Sequence, residues 1–128
     1  MNIKDINKQY EDIKGFEYNN GIIIDKASKE LIEAHIEVTD KSLNPWKTVH
    51  GGLIFGLADE ILGLLCYMNG NKSVTIDANI NYLKPCKGNI KGIGKLIKNG
   101  KSINVCKAEI YNEKDELAAI ATMNYYNM

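Results

Sequence analysis

The chain predicts an α+β fold in which an antiparallel sheet of about six strands wraps around one long central helix. Three observations predict it. The stretch VHGGLIFGLADEILGLLCYMNG, Val49 to Gly70, is apolar at nearly every position from Leu53 to Met68, with Asp59 and Glu60 side by side at its centre. A helix that is apolar almost all round must be buried on most sides. Segments before and after it alternate apolar and polar residues with a period of two, as strands with one buried face do. After the helix, four such segments follow one another through short connections, which favours antiparallel neighbours. A sheet can bury a helix on most sides only by curling around it.

The elements follow in order. Ile3, Ile6, Tyr10 and Ile13 share one face of a helix from about residue 3 to residue 16, within an N-terminal segment 1–17, ended by Gly15 or by the YNNG turn. GIIIDKA reads as a short strand. LIEAHIEVTDK reads as a second, with Ile32, Ala34, Ile36 and Val38 alternating against Glu33, His35, Glu37 and Thr39, and the two form a hairpin. SLNPWKTVHGG is a loop in which Pro45 stiffens the chain and Gly51 and Gly52 allow close backbone approach. The central helix stops at NGN. SVTIDANINYL then sets Val74, Ile76, Ala78, Ile80 and Tyr82 on one face and Thr75, Asp77, Asn79 and Asn81 on the other. PCKG, KNGK and EKDE link it onward to NIKGIGKLI, SINVCKAEIYN and LAAIATMNYY, so each of these strands is expected beside the next. Without a linker, repeat or low-complexity tract, residues 1–128 read as one domain with its core in 21–126.

Composition removes several classes of function. A chain of 128 residues with 45% hydrophobic content can bury a core of its own. Net charge is zero, and all sixteen basic residues are lysines, with no arginine. Guanidinium clamps on phosphate or guanine are therefore absent, and the scattered lysines form no basic stripe for nucleic acid. Cys66, Cys86 and Cys106 are odd in number and far apart in sequence, which suits neither a disulfide framework nor a metal site. The N-terminus lacks the apolar core of a signal peptide, and Leu53–Met68 is short for a membrane span and carries two acids. A cytoplasmic protein without metal or cofactor, binding neither nucleic acid nor membrane, is the expectation.

The opening stretch suggests a chemistry. A helix N-terminus exposes unpaired N–H groups and a partial positive charge, suited to an oxygen that gains negative charge. Gly51 and Gly52 would let a substrate carbonyl approach those amides. Asp59, in apolar surroundings, would be poorly hydrated and suited to accept a proton. It lies eight residues beyond Gly51, roughly 12 Å along the axis, too far to serve the same atom from the same chain. If both act on one bond, the acid must come from the antiparallel helix of a second copy. A symmetric dimer with two shared sites is the consequence.

The residues also carry a resemblance. NPWKTVHGG followed by LIFGLAD resembles the motif of hotdog-fold acyl-CoA thioesterases of the PaaI-like group: Asn44 stands six residues before His50 of the HGG turn, and Asp59 nine after it. VTIDANINYLKP and NGKSINVCKAEIYNEKDELAAIA extend the resemblance over roughly residues 20–126. It implies the hotdog fold, acyl-CoA as substrate, and a dimer, or a dimer of dimers, with the site shared between protomers. It implies that Asp59 is the general base or the nucleophile, that the Gly51 amide polarises the thioester carbonyl, that Asn44 holds the carbonyl or the water, that His50 orients the turn, and that Thr75 assists the water. The pantetheine arm would run between the NYLKP strand and the helix entrance, past Gly52 and Tyr82. Lys84, Gly100 and Lys101 would meet the rest of coenzyme A.

Each residue also has a plainer reading. Adjacent acids on a helix are commonly a solvated face, though the apolar flanks here leave little room for one. Glu60, with Gly56 and Gly63 as helical neighbours, could face a ligand or simply pair with a surface lysine. His50 could be only a cap, Asn44 only a turn residue, Thr75 an ordinary strand threonine, His35 a solvent-facing strand residue, and Lys84, Gly100 and Lys101 strand-end and turn residues. GIGKLIKNGK has neither the Walker spacing nor a G-x-G-x-x-G. Trp46, Phe55 and Leu62 are expected to line an apolar or aromatic acyl pocket. Two other functions fit the same frame: a non-catalytic acyl-CoA or small-ligand binding protein, and an enoyl-CoA hydratase or dehydratase using His50 with Asp59.

Overall fold

The computed structural model describes residues 1–128. Helices α1 (Ile3–Ile13) and α2 (Phe16–Asn19) precede strands β1 (Ile22–Ala27) and β2 (Leu31–Ile36). A 3-10 turn at Asp40–Ser42 leads to α3 (Gly51–Met68), then β3 (Ser73–Tyr82), β4 (Ile90–Asn99), β5 (Ile103–Tyr111) and β6 (Leu117–Asn127). The six strands form one antiparallel sheet in the order β1-β2-β4-β5-β6-β3. Its inner face packs on α3, and Leu57, Ile61, Leu62 and Leu65 are completely buried there. By length and mean hydropathy, 1.5 over eighteen residues, α3 could cross a membrane. Here it is the core helix under the sheet, as its apolar periphery requires.

Two glycines of the GIG segment explain how closely helix and sheet approach. A Cβ at Gly94 would stand 2.8 Å from Leu62 Cδ2, and one at Gly92 would stand 2.9 Å from Ile110 Cδ1 and 3.1 Å from Ile61 Cδ1. These glycines seat α3 on β4.

The structure departs from the sequence reading in four places. The first helix ends at Ile13, where Lys14 takes a left-handed backbone with φ of 55° and donates its N–H to Tyr10 O. Phe16 instead begins α2, and its ring covers Gly56, where a Cβ would lie 2.7 Å from Cζ. Strand β2 stops at Ile36, and the Val38 N–H donates to Asn89 Oδ1 at 2.9 Å in place of a ladder bond.

The third departure is topological: β3 is not beside β4. Both edges of β4 are taken by β2 and β5, so β3 lies at the margin of the sheet, paired with β6 alone. The crossing segment, 83–89, spans the helix entrance, with Leu83 N–H donating to Ala118 O at 2.7 Å and Val49 N–H to Cys86 O at 2.8 Å. The fourth departure is a β-bulge. Thr75 pairs with Tyr125 and Asp77 with Asn124, which leaves Ile76 as the extra residue. One inserted residue reverses the side-chain alternation. Thr75 thereby joins the helix-facing side with Ala78, while Ile76 turns outward and is 52% exposed.

Candidate active site

Most of the predicted site residues gather in two clusters, at either end of the contact between α3 and β3. The first is at the helix entrance. His50 is the N-cap of α3, and its Nδ1 accepts the Gly52 N–H at 2.8 Å, so the ring carries its proton on Nε2. Gly52 must lack a side chain, since a Cβ there would lie 2.9 Å from that Nδ1. The Leu53 and Ile54 N–H groups donate to His50 O. The Gly51 N–H has no partner within the chain. It is the open donor of the helix terminus, where the partial positive charge lies.

Tyr82 lies against Gly51 and donates its hydroxyl to Gly51 O at 2.7 Å. Burial raises the pKa of this phenol above its usual value, so it is a donor. Asn44 ties its own loop: Oδ1 accepts from the N–H groups of Trp46 and Thr48 at 3.0 and 3.1 Å, and Nδ2 donates to Thr48 Oγ1 at 2.8 Å. Its second side-chain N–H remains uncommitted. Asn44, Gly51, Tyr82 and Lys84 line one shallow, open cleft of about 370 Å³. Lys84 Nζ is paired with Glu116 Oε2 at 2.8 Å on its rim.

The second cluster is around Asp59. Thr75 Oγ1 donates to Asp59 Oδ1 at 2.7 Å, and Tyr125 Oη donates to the same oxygen at 2.8 Å. Asp59 Oδ2 has no protein donor and is left for another molecule. Tyr125 did not stand out in the sequence. Its parity with Ala119, Ala121 and Met123 marks it as inward-facing, but nothing local says that it meets Asp59. Thr75 is brought there by the bulge, against the alternation that places it on the outer face.

Other predicted residues lie apart. Glu60 points to the opposite flank of α3, beneath α1, where Tyr10 donates its hydroxyl to Oε1. Desolvation, aided by Glu17 and Asp59 and opposed by the Tyr10 bond, raises its pKa to about 7. No lysine pairs with it, so the surface ion pair is corrected, and the thin surface at Gly56 is filled by Phe16. Gly100 and Lys101 form the β4–β5 turn, with their carbonyls accepting from Asn127 Nδ2 at 3.2 Å. That turn is at the opposite end of the sheet from Lys84, so one chain does not unite these three around one ligand. Leu62 is wholly buried under Gly94 and lines no acyl pocket, whereas Trp46 is 82% exposed on the entrance loop. His35 Nδ1 pairs with Asp25 Oδ2 at 2.7 Å across the β1–β2 ladder. Cys66 and Cys106, distant in sequence, meet in the core with their Sγ atoms 3.8 Å apart as free thiols.

With this geometry in place, the chain can be set beside known proteins. Residues 47–119, from the entrance loop to the start of β6, match the sequence signature of the Thioesterase superfamily. A mouse (Mus musculus) protein, acyl-coenzyme A thioesterase 13, is 26% identical over 118 residues, covering 88% of this chain and 84% of that one. A Haemophilus influenzae thioesterase superposes over the whole chain and 91% of its own, with a TM-score of 0.91 at 24% identity. A Streptococcus mutans protein with acetyl-CoA bound has a TM-score of 0.81 at 32% identity, over 84% of this chain and 89% of its own. The family signature, the sheet wrapped on its long helix and these likenesses agree: the chain belongs to the thioesterase superfamily and has the hotdog fold.

Proposed function

We propose that the protein hydrolyses an acyl-CoA to the free acid and coenzyme A, at two equivalent sites shared between the protomers of a two-fold dimer. The observation that carries this reading is the pairing, on one helix, of an unpartnered Gly51 N–H with an Asp59 carboxylate that has a free oxygen. The first suits a developing oxyanion and the second a proton to be removed. The mouse relative named as an acyl-coenzyme A thioesterase and the Streptococcus mutans protein with acetyl-CoA support the substrate class. The dimer is supported by the margin of the sheet. Strand β3 is ten residues long, has one unpaired edge, and exposes Val74, Ile76 and Tyr82. Such an edge is a template for pairing with another chain. A two-fold across β3 would set the Asp59 cluster of one copy beside the Gly51 cluster of the other.

In this site the thioester carbonyl accepts the Gly51 N–H, with the spare Asn44 N–H beside it. Asp59 of the other protomer takes a proton from water as the water oxygen bonds to the carbonyl carbon. The oxyanion collapses, the C–S bond breaks, and the thiolate of coenzyme A leaves and is protonated. Direct attack by Asp59 Oδ2, through an anhydride that water then opens, uses the same geometry. His50, holding Gly52, keeps the turn in place for the Gly51 amide. Tyr82 and Gly52 would flank the pantetheine arm, and a two-fold across β3 would bring Lys84 of one copy toward the Ser73 end of the other's β3, near its Gly100 and Lys101. Glu60, bonded to Tyr10 under α1, has no part in this step. The three free thiols suit a reducing cytoplasm. The hydratase reading is disfavoured by His50, whose only acceptor nitrogen is committed to Gly52.

The test is thiol release from short, medium and aromatic acyl-CoAs by the wild type and Asp59→Asn. Turnover that falls by roughly 10²- to 10⁴-fold in a folded variant is the expected result. An Asp59→Asn protein of undiminished rate removes the acid from the mechanism. Binding of every ligand without turnover in the wild type makes the protein a binding module.

A further inference from the structure

We propose that Tyr125 is the positioning residue of the reaction: together with Thr75 it holds Asp59 Oδ1, so that Oδ2 alone is presented to the reacting water or thioester carbon. This rests on the thioesterase reading and goes beyond the residues that carry it. A carboxylate is a two-fold rotor, and unrestrained it offers either oxygen in many orientations. Here the two hydroxyl donors come from different strands, Thr75 on β3 and Tyr125 on β6, and converge on one oxygen at 2.7 and 2.8 Å. Two donors on the same atom stop that rotor and leave the other atom bare.

Tyr125 is built for this duty. It is 2% exposed, and its ring lies over Gly63, where a Cβ would be 3.8 Å from Cε1. Its hydroxyl reaches Asp59 Oδ1, the Asp59 main-chain oxygen at 3.1 Å and Met123 Sδ at 3.5 Å. A buried phenol must give its proton to an acceptor, and both oxygen acceptors belong to Asp59. The pair also accommodates the reaction. When Oδ2 takes up a proton, Oδ1 becomes a poorer acceptor, and the main-chain oxygen is already in range to share the phenol proton. Tyr125 therefore stays satisfied in both charge states of the acid without moving its ring. Burial and the adjacent carboxylate hold the phenol far above its usual pKa, so it remains a donor throughout.

The test is Tyr125→Phe, which keeps the ring and removes the hydroxyl. The expected result is a kcat about tenfold lower with KM unchanged, the loss of one hydrogen bond to a charged group. In the Asp59→Asn background the same substitution should cost nothing further. Equal losses in both backgrounds, a loss that falls on KM instead of kcat, or an unchanged kcat overturn the proposal. Should Tyr125→Phe fold poorly, 3-fluorotyrosine at position 125 keeps the packing and strengthens the donor; a kcat identical to that of the wild type then overturns it. A wild type inactive on every acyl-CoA refutes the thioesterase reading instead, which keeps the two failures distinct.

Discussion

Asp59 and Glu60 are neighbours in sequence, yet a helix turns 100° between them, and their environments diverge accordingly. Asp59 faces β3 and β6 and receives two hydroxyl donors on one oxygen. Glu60 is desolvated under α1, with Tyr10 donating to it and with Glu17 and Asp59 adding negative potential. Its pKa rises to about 7 from an ordinary value of 4.5, so the folded state binds the proton more tightly than the unfolded chain does. Stability from this residue is fully present below about pH 4.5 and is lost as the pH climbs through 7. The melting temperature should therefore fall by on the order of 5 °C between pH 5 and pH 8. Glu60→Gln should flatten that slope, and thermal melts of the two proteins across the range would measure it.

At the scale of elements, α3 owes its position to what β4 lacks and its chemistry to what β3 adds. Gly92 and Gly94 lower the sheet surface so that Ile61 and Leu62 can reach it. Gly94→Ala would place a methyl 2.8 Å from Leu62 Cδ2, the far end of a flexible side chain that can give way in part. Overpacking should outweigh the gain in strand entropy, with a net loss of about 1–2 kcal/mol in urea unfolding. The bulge at Ile76 acts in the opposite direction, by an added residue. It turns the Thr75 hydroxyl from the outer face of β3 toward the helix, and without it the threonine would miss Asp59.

At the scale of the whole molecule, the proposed reaction calls for two copies of the chain. The Gly51 donor and the Asp59 acceptor lie on one helix, separated by eight residues, or roughly 12 Å. Sharing between two copies makes a specific prediction for mixed protomers. Asp59→Asn and Gly51→Val, the latter crowding the entrance beside Tyr82, should each be nearly inactive alone. Dissociated, mixed and reassociated at equal concentration, half of the dimers would carry both substitutions in opposite chains, and each of these keeps one intact site. Thiol release should recover to about a quarter of the wild-type rate. Recovery of nothing would mean that each chain works by itself.

Local periodicity and residue chemistry made much of this legible in advance. The apolar run of Leu53–Met68, interrupted by two acids, reads as a buried helix, the alternating segments as strands over it, and glycines after a histidine mark an open helix N-terminus. These properties are set by neighbours within a few positions, so they are written in the chain itself. Tertiary structure alone decided the rest. Strand order is a competition for edges that no short connection announces, which is why β3 went to β6 instead of β4. The Ile76 bulge appears only when two distant strands are laid side by side, and with it the face on which Thr75 stands. Likewise Tyr125 meets Asp59 across 66 residues of chain, and Tyr10 meets Glu60 across 50. The sequence determined which groups were available for chemistry; long-range packing decided which of them touch, because contacts between remote segments depend on the whole set of strands and helices finding places at once.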